Sequence, residues 1–216
     1  MTLPAVRWQP SPNHSPRQQP IRFIILHGTW MADDAATLAR LCDPAAEVSC
    51  HYFIDRAAQL YQLVNDADVA WHAGQSAWGD VQGLNQHSIG IEIANLGEGA
   101  GEAYSDAQYD ALAALLAHLL PHHQLTPAAV LGHSDIAPSR KDDPGRHFDW
   151  ARLEAKGLAA PWQPTAGAGD DPLAVLRQHG YVGADADILA AFQRRYFPAA
   201  VSGMLCPATR RLILGR

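Results

Sequence analysis

The sequence predicts an α/β fold: a mixed central β-sheet flanked by helices, followed by a small C-terminal three-helix domain. Three observations predict it. Strand-length apolar runs at 21–26, 88–94 and 128–132 alternate with segments of helical period. A hairpin pattern over 50–64 adds antiparallel pairing to strands otherwise joined through helices, which makes the sheet mixed. A Pro/Gly/Ala-rich stretch, Pro161 to Gly169, marks a boundary. The expected organisation is therefore a main domain over 1–160, a linker over 161–170 and a helical domain over 171–216.

Taken in order, residues 8–20 are polar and carry Pro10, Pro12, Pro16 and Pro20, which reads as an extended lead-in. Residues 21–26 form a nearly all-apolar strand, central and covered on both faces. Residues 34–41 form a short helix with Leu38 and Leu41 inward. Residues 50–56 and 59–64 pair around Arg56-Ala57-Ala58. Over 88–94 the alternation is strict: Ile89, Ile91 and Ile93 face one way, and Gly90, Glu92 and Ala94 the other. Ser105, with Gln108 in the capping-box position, starts a helix over 106–120 that Pro121 is expected to end. A strand over 128–132 follows, then a helix over 150–156 capped by Asp149 and stopped by Gly157. Beyond the linker, Asp171-Pro172 opens a helix that ends at Gly180. A second helix covers 187–196, and a third runs from Pro207 to Gly215. A unit of this size is near the lower limit for folding alone, so it is expected to lean on the main domain.

Composition excludes several classes. Hydrophobic residues make up 48% of the 216 and charged ones 18%, which is globular and not disordered. No apolar stretch approaches ~18 residues, so no membrane-spanning segment is expected. The start, Met1 to Arg7, lacks a charged region followed by an apolar core. That favours a cytoplasmic chain, or a periplasmic one if a leader has been removed. Residues 1–160 carry 10 Lys/Arg against 18 Asp/Glu, and residues 161–216 carry 6 against 4. An acidic main domain without a basic stripe argues against nucleic acid as a partner. Three cysteines (Cys42, Cys50, Cys206) without a CxxC pair argue against a disulfide framework or thiolate zinc site. Cys42 and Cys50 could pair, but buried thiols are the favoured reading.

The chemistry concentrates in His27, His133 and Asp143. Each histidine ends an apolar run, where a strand hands over to a loop. Two imidazoles and one carboxylate suit one zinc ion, and three protein ligands leave a fourth position for water, the arrangement of a hydrolytic site. Asp142 is the chemical rival of Asp143; Pro144 restricts the residue before it, which favours Asp143. His147 stands in reserve. Glu92 is either a solvent-facing edge residue or, beside a metal, a proton acceptor. Lys141 is either a surface lysine or an ammonium that stabilises an oxyanion. Trp71 and His72 offer a flat wall and a polar edge of a kind found in sugar or peptide clefts, although Trp71 could equally be core. With Gly74 and Arg56 they form the candidate substrate-binding set. His122 and His123 suit a helix C-terminus, and His51 and His87 read as hydrogen-bonded scaffold.

Several ordered motifs over residues 10–160 carry a family resemblance. They are Ser11-Pro12-Asn13-His14, Ile25-Leu26-His27-Gly28-Thr29, Ala70-Trp71-His72-Ala73-Gly74, Asn85 through Glu92, Gly132 through Pro138, and Lys141-Asp142-Asp143-Pro144-Gly145. Together they resemble the zinc-dependent N-acetylmuramoyl-L-alanine amidases of the type 2 class, whose fold is shared with phage lysozyme-type amidases and peptidoglycan recognition proteins. The resemblance implies Asp143 as ligand, Lys141 as the oxyanion residue and Glu92 as the strand glutamate. It implies hydrolysis of the amide between the lactyl group of N-acetylmuramic acid and the stem-peptide L-alanine, in peptidoglycan or muropeptides. The alternative is a recognition module that binds such fragments without cutting them; a monomer is expected in either case. The C-terminal segment resembles a three-helix peptidoglycan-binding module through Ala191 to Arg194 and Gly203 to Thr209, with Cys206 and Pro207 where that module has an acidic residue. Cys50 stands where some relatives carry a catalytic tyrosine, and Ala94 where relatives often have a second acid, so the chemistry is left to Glu92 and Lys141.

Overall fold

A computed structural model describes residues 4–164 and 171–215; part of the expected linker, 165–170, lies outside the described residues. The order of elements is β1 (Val6–Trp8), β2 (His14–Pro16), β3 (Phe23–Gly28), α1 (Asp34–Leu41), β4 (Tyr52–Ile54), β5 (Leu60–Gln62), β6 (Asp68–Ala70), β7 (Ala77–Trp78), β8 (Val81–Gln82), β9 (Ser88–Ile93), α2 (Asp106–His122), β10 (Val130–Gly132), α3 (His133–Ile136), α4 (Trp150–Glu154), α5 (Pro172–His179), α6 (Asp185–Tyr196) and α7 (Pro207–Leu214). Six strands form a mixed sheet in the order β1-β5-β4-β9-β3-β10. Only β4 and β5 pair antiparallel within it; the other neighbours run parallel.

The alternation in β9 explains how the sheet divides its two faces. Ile89, Ile91 and Ile93 join Ile24 and Leu26 of β3 in a core closed by Leu112, Leu115, Leu116 and Leu119 of α2. Phe23 and Ile25 face the opposite side, with Leu131 and Leu84. Full burial of one such aliphatic side chain contributes about 1.5–3 kcal/mol. A separate core gathers Val175, Leu176, Ile188, Phe192 and Ile213 from the three C-terminal helices. Trp162 packs against that core, its indole N–H donating to the Ile213 carbonyl at 3.2 Å.

Four expectations need correction. The lead-in contains two short strands, because Val6–Trp8 finds an open parallel partner in β5 and His14–Pro16 an antiparallel one in β6. Pro121 does not end α2, which runs on to His122; in the last turn a proline forfeits a single ladder bond. Asp149 makes no side-chain cap bond, and α4 stops at Glu154. His87 has a buried Nδ1 without a partner, where a hydrogen-bonded ring was expected. All three cysteines are free thiols, with Cys50 buried. Among the described residues no helix is long and apolar enough to cross a membrane.

Candidate functional site

Parallel pairing of β3 with β9 sets His27 opposite Glu92. On the other flank, β10 pairs parallel with β3 and delivers His133 at the start of α3. The chain returns ten residues later with Asp143, tied to α3 by the Ser134 N–H donating to the Asp143 carbonyl at 2.9 Å. Three side chains from distant parts of the sequence thus meet at the C-terminal ends of adjacent parallel strands, where open α/β sheets place their sites. All three are buried.

Their geometry is a tight triangle. His27 Nδ1 lies 2.9 Å from His133 Nδ1 and 3.1 Å from Asp143 Oδ2, and His133 Nδ1 lies 3.0 Å from the same oxygen. The surrounding hydrogen bonds fix what these atoms carry. The Leu84 carbonyl accepts the Ser88 hydroxyl proton at 2.6 Å, so Ser88 Oγ is the acceptor for His72 Nε2–H at 3.2 Å. That leaves His72 Nδ1 bare, to accept from His27 Nε2–H at 2.9 Å. His133 Nε2–H donates to the Ala73 carbonyl at 3.2 Å. Both ring protons are therefore committed away from the triangle, and two imidazole lone pairs and a carboxylate oxygen converge on one point. Such a cluster of acceptors is repulsive unless a cation sits among them. Edges near 3 Å suit donors around a single zinc at ~2.0–2.1 Å.

Electrostatics agree. Burial, reinforced by the neighbouring His133, lowers the His27 pKa to about 4, so the ring stays a neutral donor. Burial alone would raise Asp143, but His133 and His27 outweigh it and hold the carboxyl well below the usual carboxylate range. Glu92 behaves oppositely: burial, with Asp143 nearby and Lys141 opposing, pushes it up to about 8. Its Oε2 is buried without a hydrogen-bond partner. His27, Glu92, Lys141 and Asp143 line one cleft of about 300 Å³, a size suited to part of a small ligand.

The remaining expected residues fall differently. His72 also borders the cleft, but the residue is 6% exposed and its ring is spent on His27 and Ser88. Gly90 makes room for it: a Cβ there would lie 2.4 Å from the imidazole. Trp71 is half-buried and borders, with Gly74, a shallower groove that shares His72, His133 and Lys141 with the cleft. Arg56 does not reach the cleft; it pairs with Asp34 at 2.6 Å and Glu102 at 3.6 Å. Asp142 points away to Arg194 at 2.6 Å, and His147 is exposed and outside the triangle. Sequence reasoning missed three residues. Trp30, 41% exposed with φ of 51°, stands at the cleft. Tyr104 donates its hydroxyl to the Pro144 carbonyl at 2.8 Å, bracing the loop after Asp143. Arg140 donates to the Ala73 and Gln75 carbonyls at 3.1 and 2.6 Å, and borders both grooves. No local pattern around any of them signals a site.

Residues 17–146 match the Amidase_2 family, N-acetylmuramoyl-L-alanine amidase. The N-acetylmuramoyl-L-alanine amidase AmiD of Escherichia coli K12 is 39% identical over 154 residues, covering 65% of this chain and 54% of the relative. Its structure in complex with the substrate anhydro-N-acetylmuramic acid-L-Ala-D-γ-Glu-L-Lys superimposes with a TM-score of 0.76, at 31% identity and 91% coverage of each chain. AmpDH3 from Pseudomonas aeruginosa superimposes with a TM-score of 0.79, at 32% identity, covering 92% of this chain and 91% of that one. The aligned stretch spans about half the length of the first curated relatives, 54% and 56%. With a family match over more than half of its residues, laid on a mixed sheet that gathers two histidines and an aspartate, the chain belongs to the N-acetylmuramoyl-L-alanine amidase family.

Proposed function

We propose that this chain is a zinc-dependent N-acetylmuramoyl-L-alanine amidase. It hydrolyses the amide between the lactyl group of N-acetylmuramic acid and the L-alanine of the stem peptide, in muropeptides and their anhydro forms. The observation that carries the reading is the proton accounting: both ligand imidazoles spend their N–H elsewhere and turn bare Nδ1 atoms toward Asp143. His27, His133 and Asp143 would hold one zinc, which supplies Lewis acidity that acidifies water and polarises a carbonyl.

The chain's own residues do the rest. Glu92 Oε2, unpartnered and facing the cleft, takes a proton from the attacking water. Burial lifts this carboxyl to about 8, and a cation held by the triangle would draw it back toward the ionised form that accepts a proton. The water oxygen bonds to the lactyl carbonyl carbon, and the Lys141 ammonium stabilises the oxyanion that forms. Glu92 then returns the proton to the alanine nitrogen as the C–N bond breaks, leaving a lactyl carboxylic acid, which ionises by giving its proton to the released amine or solvent, and a free stem peptide. His72 and Ala73 keep the two ligand rings oriented throughout. Trp71 and Gly74 contribute the wall of the adjoining groove. The soluble substrate class is supported by the anhydro ligand bound to AmiD. The three C-terminal helices are read as a peptidoglycan-binding-like module.

Mass spectrometry of products from a defined anhydromuropeptide tests the reading. Free stem peptide should appear with zinc and vanish after chelation. Binding of the fragment without release of peptide would instead make the chain a recognition module.

A further inference from the structure

The C-terminal helices touch the metal-ligand segments directly. Asp135, two residues after His133, is fully buried. Its Oδ2 accepts the Gly132 N–H at 2.8 Å, closing the turn that presents His133. The same oxygen accepts from Arg195 Nη1 of α6 at 2.9 Å, and Oδ1 accepts the Tyr181 hydroxyl at 2.8 Å. The Arg195 side chain is 4% exposed, and its guanidinium lies 4.0 Å above the Trp150 ring. Its neighbour Arg194 grips the other ligand segment. Arg194 Nη2 pairs with Asp142 Oδ1 at 2.6 Å, immediately before Asp143. Arg194 Nε donates to Glu98 Oε2 at 3.1 Å, an oxygen that also accepts the Arg146 N–H at 3.2 Å, beyond Asp143.

We propose that Arg194 and Arg195 are positioning residues for the metal site, a two-pronged clamp by which α6 fixes the segments carrying His133 and Asp143. The C-terminal unit would then be part of the catalytic scaffold, whatever else it binds. The energetics point the same way. A buried ion pair such as Arg195–Asp135 contributes little net stability compared with apolar packing of the same volume, because desolvating both charges costs about what their attraction returns. What it supplies is a fixed geometry at the turn before His133. Arg194 adds a charge-assisted fork, which is more directional than a single contact. The clamp rests on the zinc reading above, and its test separates the two.

The test measures zinc dissociation constants of the full chain by competition with a chromophoric chelator, and the visible spectrum of the cobalt-substituted protein. The variants are Arg194→Ala, Arg194→Lys and Asp142→Ala. Arg177→Ala serves as control, since among the described residues Arg177 forms its ion pair with Asp185, within the C-terminal helices. Arg194→Ala is diagnostic because Coulomb's law alone predicts the opposite sign: removing a cation near a dication should tighten binding. The clamp predicts roughly tenfold weaker zinc binding, the scale seen when a partner of a metal ligand is lost, together with an altered cobalt spectrum. Arg194→Lys should recover part of the loss, and Arg177→Ala should match the wild type. Asp142→Ala should show the same spectral change, and it reads the clamp independently should Arg194→Ala fail to fold. Zinc affinity and cobalt spectrum unchanged in Arg194→Ala, or in Asp142→Ala in its place, would overturn the clamp while leaving the zinc site intact. A wild type that binds no zinc would overturn both.

Discussion

Replacing Glu92 by glutamine should make the metal-free protein more stable at alkaline pH while abolishing turnover. Burial lifts the Glu92 carboxyl from 4.5 to about 8. A group whose folded pKa is raised contributes stability that is complete below its unfolded value and is lost as pH climbs through the folded one. Between pH 4.5 and 8 the wild type should therefore lose stability on this account at up to ~1.4 kcal/mol per pH unit. Full burial would bring the loss to on the order of 4–5 kcal/mol; Glu92 is only half-buried as a residue, so about 2–4 kcal/mol is the working figure. Glutamine keeps the shape without the charge, and its profile should lack this slope. His27 and His51, both lowered to about 4 by burial, act in the opposite direction between pH 4 and 6.5. They are common to both proteins, so the difference between variant and wild type isolates Glu92.

The assay is urea unfolding of chelator-treated wild type and Glu92→Gln at pH 5 and pH 8. The gap between the two proteins should be near zero at pH 5 and open in favour of the variant at pH 8. A dication at the triangle attracts the ionised carboxylate, so zinc should narrow that gap. On muropeptides the variant should retain zinc and lose ~10²–10⁴-fold in kcat. Parallel pH profiles for the two metal-free proteins would refute the upward shift that burial gives the Glu92 carboxyl. Near-wild-type peptide release would remove it from the proton transfer.

Three other outcomes are expected. Lys141→Met should lower kcat by ~10²–10³ with little change in KM, because the ammonium acts on charge that develops only in the transition state; a loss confined to KM would assign Lys141 to substrate binding instead. His72→Ala frees His27 Nε2 and should weaken zinc binding ~10–100-fold, measured by chelator competition, whereas unchanged affinity would show that His27 needs no such support. Zinc at about a thousand times its dissociation constant should stabilise the wild type by ~4 kcal/mol in thermal unfolding and do nothing for His27→Ala; an equal shift in both would place the ion elsewhere.

The parts of the site that were legible from the sequence are those where a local rule and the chemistry coincide. His27 and His133 terminate apolar runs, so strand ends and ligand types could be read together. Glu92 stood out because strict alternation in β9 put it opposite three isoleucines, and those isoleucines do form the core beneath α2. The strength of the C-terminal helix signals lay in their punctuation: Asp171-Pro172 at one start, and Gly180 and Gly215 at two ends. Where a residue's task depends on a partner far along the chain, the sequence offered nothing comparable. The sequence puts Arg56 in the substrate-binding set, and nothing local foretells Asp34 and Glu102 closing on it.

His72 shows most clearly what separates the two cases. Its neighbourhood, an aromatic beside an imidazole, suggested a cleft edge, and it does border the cleft, but its ring is also spent on His27 and Ser88. The decisive signal lay eighteen residues away, in a glycine. Gly90 occupies the same strand face as Glu92, and a glycine inside a well-formed strand marks a close approach by something else. Here the intruder is the His72 ring, which would meet a Cβ at 2.4 Å. The absent side chain at Gly90 and the present one at His72 are one feature divided between two elements. Arg194 and Asp142 repeat the pattern over a longer span, since their pairing shows only once α6 is laid against the Asp143 loop. The residues proposed to do chemistry here thus stand out by type and local period, whereas those proposed to hold them in place are defined by pairs, and these pairs are visible only once the chain has folded.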